Sequence, residues 1–411
     1  MADTAGPIVI VGAGHAGDAV AALLRQYGFA GPITLLGDET FAPYHRPPLS
    51  KAWLKGEADA TALALRGPDF YARQDIALRL NMRVTELDRG GKRVRLADGT
   101  SLPYAVLILA TGAHARALDI PGAGLAHVHS LRTRTDADAL RAALAASRHL
   151  AIVGGGYIGL EIAASARALG VAVTVIEREA RLLARVASPP LAAAFQRLHE
   201  AQGVKFHLNA GIAAIETAAV ILADGTAHPA DNIVIGVGAV PATQLAADSG
   251  LDCANGVVVD IAARTSDPDI FAIGDCAARP VPRYDRRLRL ESVPNTLEQA
   301  KQAAAAITGR APPAPETPWF WSDQYSTRLQ IAGLLLDVTG TVVRGNPGDA
   351  KFALFHRAAD GTLQAVEAVN AAEEFMAGRL MIARRAKPSP TALADLATPM
   401  RAILAWTMDV A

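Results

Sequence analysis

Apolar and polar positions along this chain fall into a repeating order. Pro7 to Val11 is an unbroken apolar run of strand length, and Gly12-Ala13-Gly14-His15-Ala16-Gly17 follows at once. Ala19 to Gln26 then carries alanine and leucine at helical spacing. A second apolar run, Ile33 to Leu36, ends at Gly37-Asp38-Glu39. The order recurs downstream: the run His149 to Val153, the turn Gly154-Gly155-Gly156-Tyr157-Ile158-Gly159, the helical stretch Leu160 to Leu169, and the run Val171 to Ile176 ending at Glu177. Short apolar runs bounded by glycine and alternating with helical pattern predict parallel strand–turn–helix–strand units. Two more runs end in turns, Leu107-Ile108-Leu109 before Ala110-Thr111-Gly112 and Phe271-Ala272-Ile273 before Gly274-Asp275.

The turn chemistry points to dinucleotides. In a G-x-G-x-x-G turn the first glycine permits the sharp bend, the second lets backbone N–H groups approach a pyrophosphate, and the third lets the helix pack close to the strand. Gly12, Gly14 and Gly17 fill these places in the first copy, and Gly154, Gly156 and Gly159 in the second. The helix N-terminus then directs partial positive charge at the phosphates. The acid ending the second strand, Asp38 or Glu177, accepts from ribose hydroxyls. One such turn is weak support, but two in the same context imply two dinucleotides: a resident FAD at the N-terminal turn and a visiting nicotinamide at the second. Glu177 favours NADH over NADPH because a carboxylate repels a 2′-phosphate, while Arg178, Arg181 and Arg185 nearby pull the other way.

Composition narrows the field. The 411 residues are 51% hydrophobic and 19% charged, which excludes low-complexity, collagen-like and coiled-coil chains. Forty basic residues balance forty acidic ones, so nothing global favours nucleic acid or an anionic membrane. Cys253 and Cys276 are too few and too far apart for a disulfide framework, a zinc site or a protein-ligated cluster. Met1 to Ile8 lacks signal-peptide character, and no apolar stretch is long enough to span a bilayer, so a soluble, cytoplasmic protein is expected. Gly236 to Pro241, with Gly238 at its centre, marks the return from the second unit. Pro312, Pro313, Pro315 and Pro318 form a linker. Beyond it, β-type runs at Arg328 to Leu334 and Lys351 to Phe355 and a helical stretch at Pro399 to Met408 predict an α+β domain. The expected fold is therefore α/β, with two Rossmann-like dinucleotide-binding domains and a C-terminal α+β domain. Its divisions are a discontinuous FAD-binding domain (1–112 and 243–317), an NAD-binding domain (113–242) and a C-terminal domain (318–411).

Segments spread over nearly the whole chain carry a resemblance: IVIVGAGHAG (8–17), YHRPPLSKAWL (44–54), LILATG (107–112), VGGGYIGLE (153–161), TSDPDIFAIGDCA (265–277), ESVPNTLEQA (291–300) and PWFWSDQY (318–325). The chain resembles the FAD-dependent, NADH-linked ferredoxin reductases of bacterial oxygenase systems, within the glutathione-reductase-like flavoproteins. PPLSK, ESVPN-x-x-EQA and WFWSDQY are the specific parts of the match. The resemblance implies that Ala16 and the first turn bind the FAD pyrophosphate, with Asp38 on the adenosine ribose. Arg46 and Lys51 line the flavin, Val84 meets the adenine through its backbone, and Arg132 reaches the cofactor. Ala110, Thr111 and Gly112 belong to the same site. Asp275, after Gly274, holds the ribitol, and Val293 approaches the flavin ring through its main chain. At the second turn the nicotinamide site takes in Tyr157, Ile158, Glu177, Arg185 and Gly238. Glu161 pairs with Lys51 beside the flavin as the catalytic couple, and Trp321 lies near the flavin and the acceptor route. Without the resemblance, Arg46 and Lys51 read as a solvated basic loop, Glu161 as an acid favouring its helix dipole, Asp275 as an ordinary turn residue, and Trp319 and Trp321 as core of the third domain. Ser292 and Pro294 suit a helix start on either reading, one whose dipole would favour an anionic reduced flavin.

Mechanism follows from a missing residue. Tyr44 to Leu54, where the disulfide reductases and peroxidases of this superfamily carry redox cysteines, contains none, and Cys276 suits a buried small side chain. The resemblance therefore implies hydride transfer from NADH to FAD and single-electron transfer to a 2Fe–2S ferredoxin serving a haem monooxygenase or a Rieske dioxygenase. Two basic clusters are open to an acidic ferredoxin, or to solvent alone: Arg279, Arg283, Arg286, Arg287 and Arg289, and Arg384, Arg385 and Lys387. Alternative acceptor readings are a rubredoxin, or none at all in an NADH-sensing flavoprotein resembling apoptosis-inducing factor.

Overall fold

The computed structural model describes residues 6–407, so Met408, at the end of the expected C-terminal helical stretch, lies outside the described residues. The chain divides into two compact units. The first gathers residues up to His45 with Ala60–His114 and Val240–Glu316. The second gathers Arg46–Asp59, Ala115–Ala239 and the chain from Thr317 onward.

The first unit is built on a five-stranded parallel sheet in the order Ile270–Ala272, Val106–Leu109, Ile8–Val11, Ile33–Leu36, Ile76–Arg79. Ile8–Val11 is central and wholly buried, which is why it reads as a continuous rather than an alternating apolar run. Helices His15–Gln26 and Val293–Ile307 cover one face through Val20, Leu24, Ala300 and Ala304.

The second unit repeats the design. Its parallel sheet runs Lys205–His207, Ala172–Ile176, His149–Val153, Asn232–Ile235, Val128–His129, with helix Tyr157–Ala168 following the central strand. It also carries an antiparallel sheet in the order Trp319–Gln324, Thr327–Gly333, Leu363–Val369, Phe352–Arg357, Gly340–Gly345. Helix Ala372–Ala383 packs on it through Phe375, Met381 and Ile382, and a last helix runs Met400–Trp406. Among the described residues no helix is long and apolar enough to cross a membrane.

Both dinucleotide-type helices start earlier than their apolar spacing predicts, at His15 and Tyr157 rather than Ala19 and Leu160. The spacing misses the first turn because glycines occupy it, and those glycines let the turn lie against the strand it leaves.

Candidate functional site

The first unit holds a glycine cradle. Gly12 adopts φ +114°, and a Cβ there would come within 2.2 Å of the Ala110 carbonyl, so the turn after Ile8–Val11 passes directly against the turn after Val106–Leu109. A Cβ on Gly17 would meet the Gly12 carbonyl at 1.9 Å, so this glycine lets the helix start press against its own turn. Gly14 caps helix His15–Gln26 in extended conformation, with no side chain capping the first N–H groups. Asp38, just beyond Ile33–Leu36, is exposed and bonds to nothing among the described residues. Ala110 is buried, Thr111 Oγ1 donates to the Ala242 carbonyl at 2.7 Å, and Val84 is half-buried at the start of strand Val84–Asp88.

Gly274, at φ +81°, would bring a Cβ to 3.1 Å from Ala16 and 3.7 Å from Thr296 Oγ1. The Gly274–Asp275 turn thus sits beside both the glycine cradle and the start of helix Val293–Ile307. Ser292 caps that helix by accepting from the Asn295 N–H at 3.3 Å, with Pro294 in the first turn. Asn295 Oδ1 and Gln299 Nε2 are buried there without a partner among the described residues. Uncapped N–H groups at Gly14, a free carboxylate at Asp38 and unmet polar atoms at the second helix start fit a polar dinucleotide. FAD is such a molecule. Cys276 is fully buried with Sγ turned toward the Ile273 carbonyl, and burial pushes its thiol pKa up, against any role as nucleophile.

The second unit repeats the cradle with different fittings. Gly154 has φ +107°, and a Cβ there would lie 2.5 Å from the Gly236 carbonyl, while one on Gly159 would lie 2.3 Å from the Gly154 carbonyl. Gly156 caps helix Tyr157–Ala168 without a side-chain cap, and a Cβ there would meet nothing. By contrast, helices Arg134–Ala146 and Pro189–Ala201 are capped by Thr133, in a full capping box, and by Ser188. Glu177 is fixed: its carboxylate accepts from the Gly155 N–H at 2.7 Å and the Glu179 N–H at 2.9 Å. Arg185 is exposed and reaches Gly238, whose Cβ would stand 3.3 Å from the guanidinium. Arg181 instead binds the Ala184 and Ala187 carbonyls at 2.8 and 2.9 Å, and exposed Arg178 bonds Glu179. Of the three arginines that pull toward NADPH, Arg181 therefore serves its own loop. Ile158 is exposed. The Tyr157 ring packs on Phe320 at 4.5 Å, and burial raises its hydroxyl pKa.

The same unit buries an ion pair. Lys51 Nζ stands 2.6 Å from Glu161 Oε2, with Glu161 only 4% exposed. Ser50 Oγ donates to the same oxygen at 2.5 Å, Ser322 Oγ donates to Oε1 at 2.6 Å, and Ser165 Oγ donates to the Ser50 carbonyl at 2.7 Å. Strand alternation explains the arrangement. In Trp319–Gln324 the side chains of Phe320, Ser322 and Gln324 point one way, toward helices Tyr157–Ala168 and Pro189–Ala201. Trp319 stacks near Trp321 and Phe375 at 5.6 and 5.7 Å. Trp319 therefore packs, partly buried, against the core under the C-terminal antiparallel sheet, and Trp321 is half-buried. Arg46 Nη1 donates to the Arg132 carbonyl at 2.6 Å, and the Arg132 N–H donates to Asp136 at 3.0 Å.

One basic cluster is only partly a surface: Arg286 and Arg287 are exposed, whereas Arg279 is not. Arg279 is 1% exposed and pairs with Glu298 at 2.8 Å and Gln302 at 3.2 Å, and Arg287 holds the Val259 carbonyl at 2.6 Å. The Arg279 partners lie a helix away in sequence, where a local charge count misses them. Sequence reasoning also misses Ser50, Ser322, Gln324 and His199. For Ser322 and Gln324 the available signal is the strand's two-residue period, which places both on the same face as Phe320.

Residues 6–305 match the pyridine nucleotide-disulphide oxidoreductase family, and 319–404 match a reductase C-terminal family. The chain is 51% identical over 394 residues to a probable ferredoxin reductase of Castellaniella defragrans, covering 94% of this chain and 96% of that one. It is 41% identical over 408 residues to putidaredoxin reductase of Pseudomonas putida, covering 97% and 96%. Among solved structures, the covalent putidaredoxin reductase–putidaredoxin complex aligns with a TM-score of 0.95 at 40% identity, covering 98% of this chain and 99% of that one.

Proposed function

Because the chain belongs to the pyridine nucleotide-disulphide oxidoreductase family, we propose that it is an FAD-dependent NADH:ferredoxin reductase feeding an oxygenase. Bound FAD supplies the step from a two-electron donor to one-electron acceptors. Everything else falls to the chain. The uncapped helix start at Gly14 and the first cradle hold the pyrophosphate of FAD, with Asp38 on its ribose and Asp275 on its ribitol. The start of helix Val293–Ile307, at Ser292 and Val293, favours negative charge on the reduced cofactor. The second cradle, Glu177 and Gly238 take NADH. Lys51 and Glu161, an ion pair with Nζ 2.6 Å from Oε2, serve as the catalytic couple. Arg46, Val84, Arg132 and Trp321 serve the flavin on the strength of the family resemblance.

The observation that carries this reading is the pair of cradles together with the absence of any cysteine from Tyr44 to Leu54. With no dithiol to receive them, electrons must leave for an outside carrier. Arg384, Arg385 and Lys387, all exposed at the end of helix Ala372–Ala383, supply the charge that steers an acidic ferredoxin. A cytoplasmic setting, where NADH is replenished, suits the reaction. The test is NADH-dependent reduction of purified 2Fe–2S ferredoxins, rubredoxin and a small dye in parallel. Fast ferredoxin reduction is expected. Dye reduction with no ferredoxin reduction, or a preference for rubredoxin, overturns the acceptor assignment.

A further inference from the structure

His199 lies near the end of helix Pro189–Ala201 and is completely buried. Its Nε2 is 2.7 Å from Gln324 Oε1, and its Nδ1 is 3.0 Å from the Tyr325 hydroxyl. Gln324 Nε2 in turn donates to Ser322 Oγ at 3.1 Å, and Ser322 donates to Glu161 Oε1 at 2.6 Å. Glu161 ends this run of polar side chains at Lys51.

The direction of every bond in the run is forced from the carboxylate end. An ionised carboxylate only accepts, so the single Ser322 proton goes to Glu161. Ser322 Oγ must then accept, which places the Gln324 NH2 group on it and turns the carboxamide oxygen toward His199. That oxygen also only accepts, so the His199 proton sits on Nε2. Nδ1 is left to accept from Tyr325. Burial pushes the His199 pKa down to about 4, so the ring is neutral at ordinary pH, as this arrangement needs.

We propose that His199 and Gln324 are positioning residues for the Glu161–Lys51 pair, acting through Ser322. The run is not a proton conduit, because the carboxamide at its centre has no titrating proton to pass. Its work is orientation. Without the His199 N–H, nothing holds the Gln324 oxygen away from Ser322. The carboxamide turns over, and the Ser322 hydroxyl is shared between two acceptors instead of committed to Glu161. A buried carboxylate that loses a donor binds its remaining partners in a different geometry, and Lys51 moves with it.

The role of the pair rests on the reductase reading, whereas the hydrogen-bond direction does not, and the experiment separates them. Histidine 15N spectra of the holoprotein without NADH, with His199 assigned by its loss in His199→Phe, are expected to show a single Nε2–H tautomer. Ser322→Ala is expected to shift that signal or add the second tautomer, because the Gln324 amide loses the acceptor that fixes it. An Nδ1–H tautomer in the natural protein, or an unchanged signal in Ser322→Ala, overturns the proposal. In stopped flow, flavin bleaching by NADH is expected to slow about tenfold in His199→Phe at unchanged NADH affinity. His199→Gln, which keeps an N–H donor, is expected to recover to within about twofold. Gln324→Met breaks the same link and replaces His199→Phe if that variant does not fold. Equal rates in all variants refute the positioning role even with the right tautomer. Absence of bleaching in the natural protein refutes the reductase reading alone.

Discussion

The two glycine cradles share a backbone and differ in how their acids are held. Asp38 stands exposed without a partner among the described residues, whereas Glu177 is clamped by the Gly155 and Glu179 N–H groups. A cofactor that stays bound has time to organise its own acid. A nicotinamide that must arrive and leave on every turnover gains from an acid already in place, because less ordering remains to be done on binding. On the proposed assignment, the same fold serves a resident and a visitor by changing what the carboxylate does while it waits.

The sharpest break between the cradles is steric. Gly12→Ala drives a Cβ to 2.2 Å from the Ala110 carbonyl, and the variant is expected to purify without flavin. Gly154→Ala meets the Gly236 carbonyl at 2.5 Å, and it is expected to stay yellow while NADH no longer bleaches it. Flavin spectra of the two preparations check this, and flavin loss from both would erase the division of labour. Next in size, Lys51→Met leaves Glu161 as an unpaired buried charge. A stability loss of about 3–5 kcal/mol in chemical denaturation is expected, along with slowed bleaching.

Acid should act on the second unit in a defined window. The unfolded chain protonates His199 below about pH 6.5, while the folded ring stays neutral down to about 4. Stability is therefore complete above that window and falls as pH drops through it, by about 3 kcal/mol from this group. Denaturation of His199→Gln at pH 7 and pH 4.5 is expected to show a smaller acid loss than the natural protein. Glu177→Ala removes the carboxylate that accepts from two backbone N–H groups. It is expected to cost about 1–3 kcal/mol and to relax discrimination against NADPH, read as the ratio of kcat/KM values for the two nucleotides. The smallest effect concerns docking. Charge reversal at Arg384 and Lys387 is expected to slow ferredoxin reduction at low salt more than reversal at Arg286 and Arg287, with dye reduction untouched by either.

Both cradles were legible in the sequence because their chemistry is local: strand, glycines, helix and acid lie within one stretch of chain. The strands at Thr327–Gly333 and Phe352–Arg357 were legible for the same reason, through their apolar runs. Pairing of Lys51 with Glu161 came from family resemblance, since 110 positions separate them and only packing brings them together. Ser322 and Gln324, on a strand, and His199, on a helix, escaped notice because a polar residue in either reads as solvent-facing until its neighbours are known. Arg279 shows the opposite failure. Five arginines in one segment look like a surface, yet the first of them is the most deeply buried cation of the set, neutralised by Glu298 on another element.

The central claim is that electrons enter as a pair from NADH and leave singly to a ferredoxin. An anaerobic two-step titration of the holoprotein tests it most directly. Stoichiometric NADH should bleach the flavin rapidly, and oxidised 2Fe–2S ferredoxin should then restore the flavin colour as its own visible band fades. Flavin that NADH does not bleach, or that stays bleached against every ferredoxin offered, would contradict it.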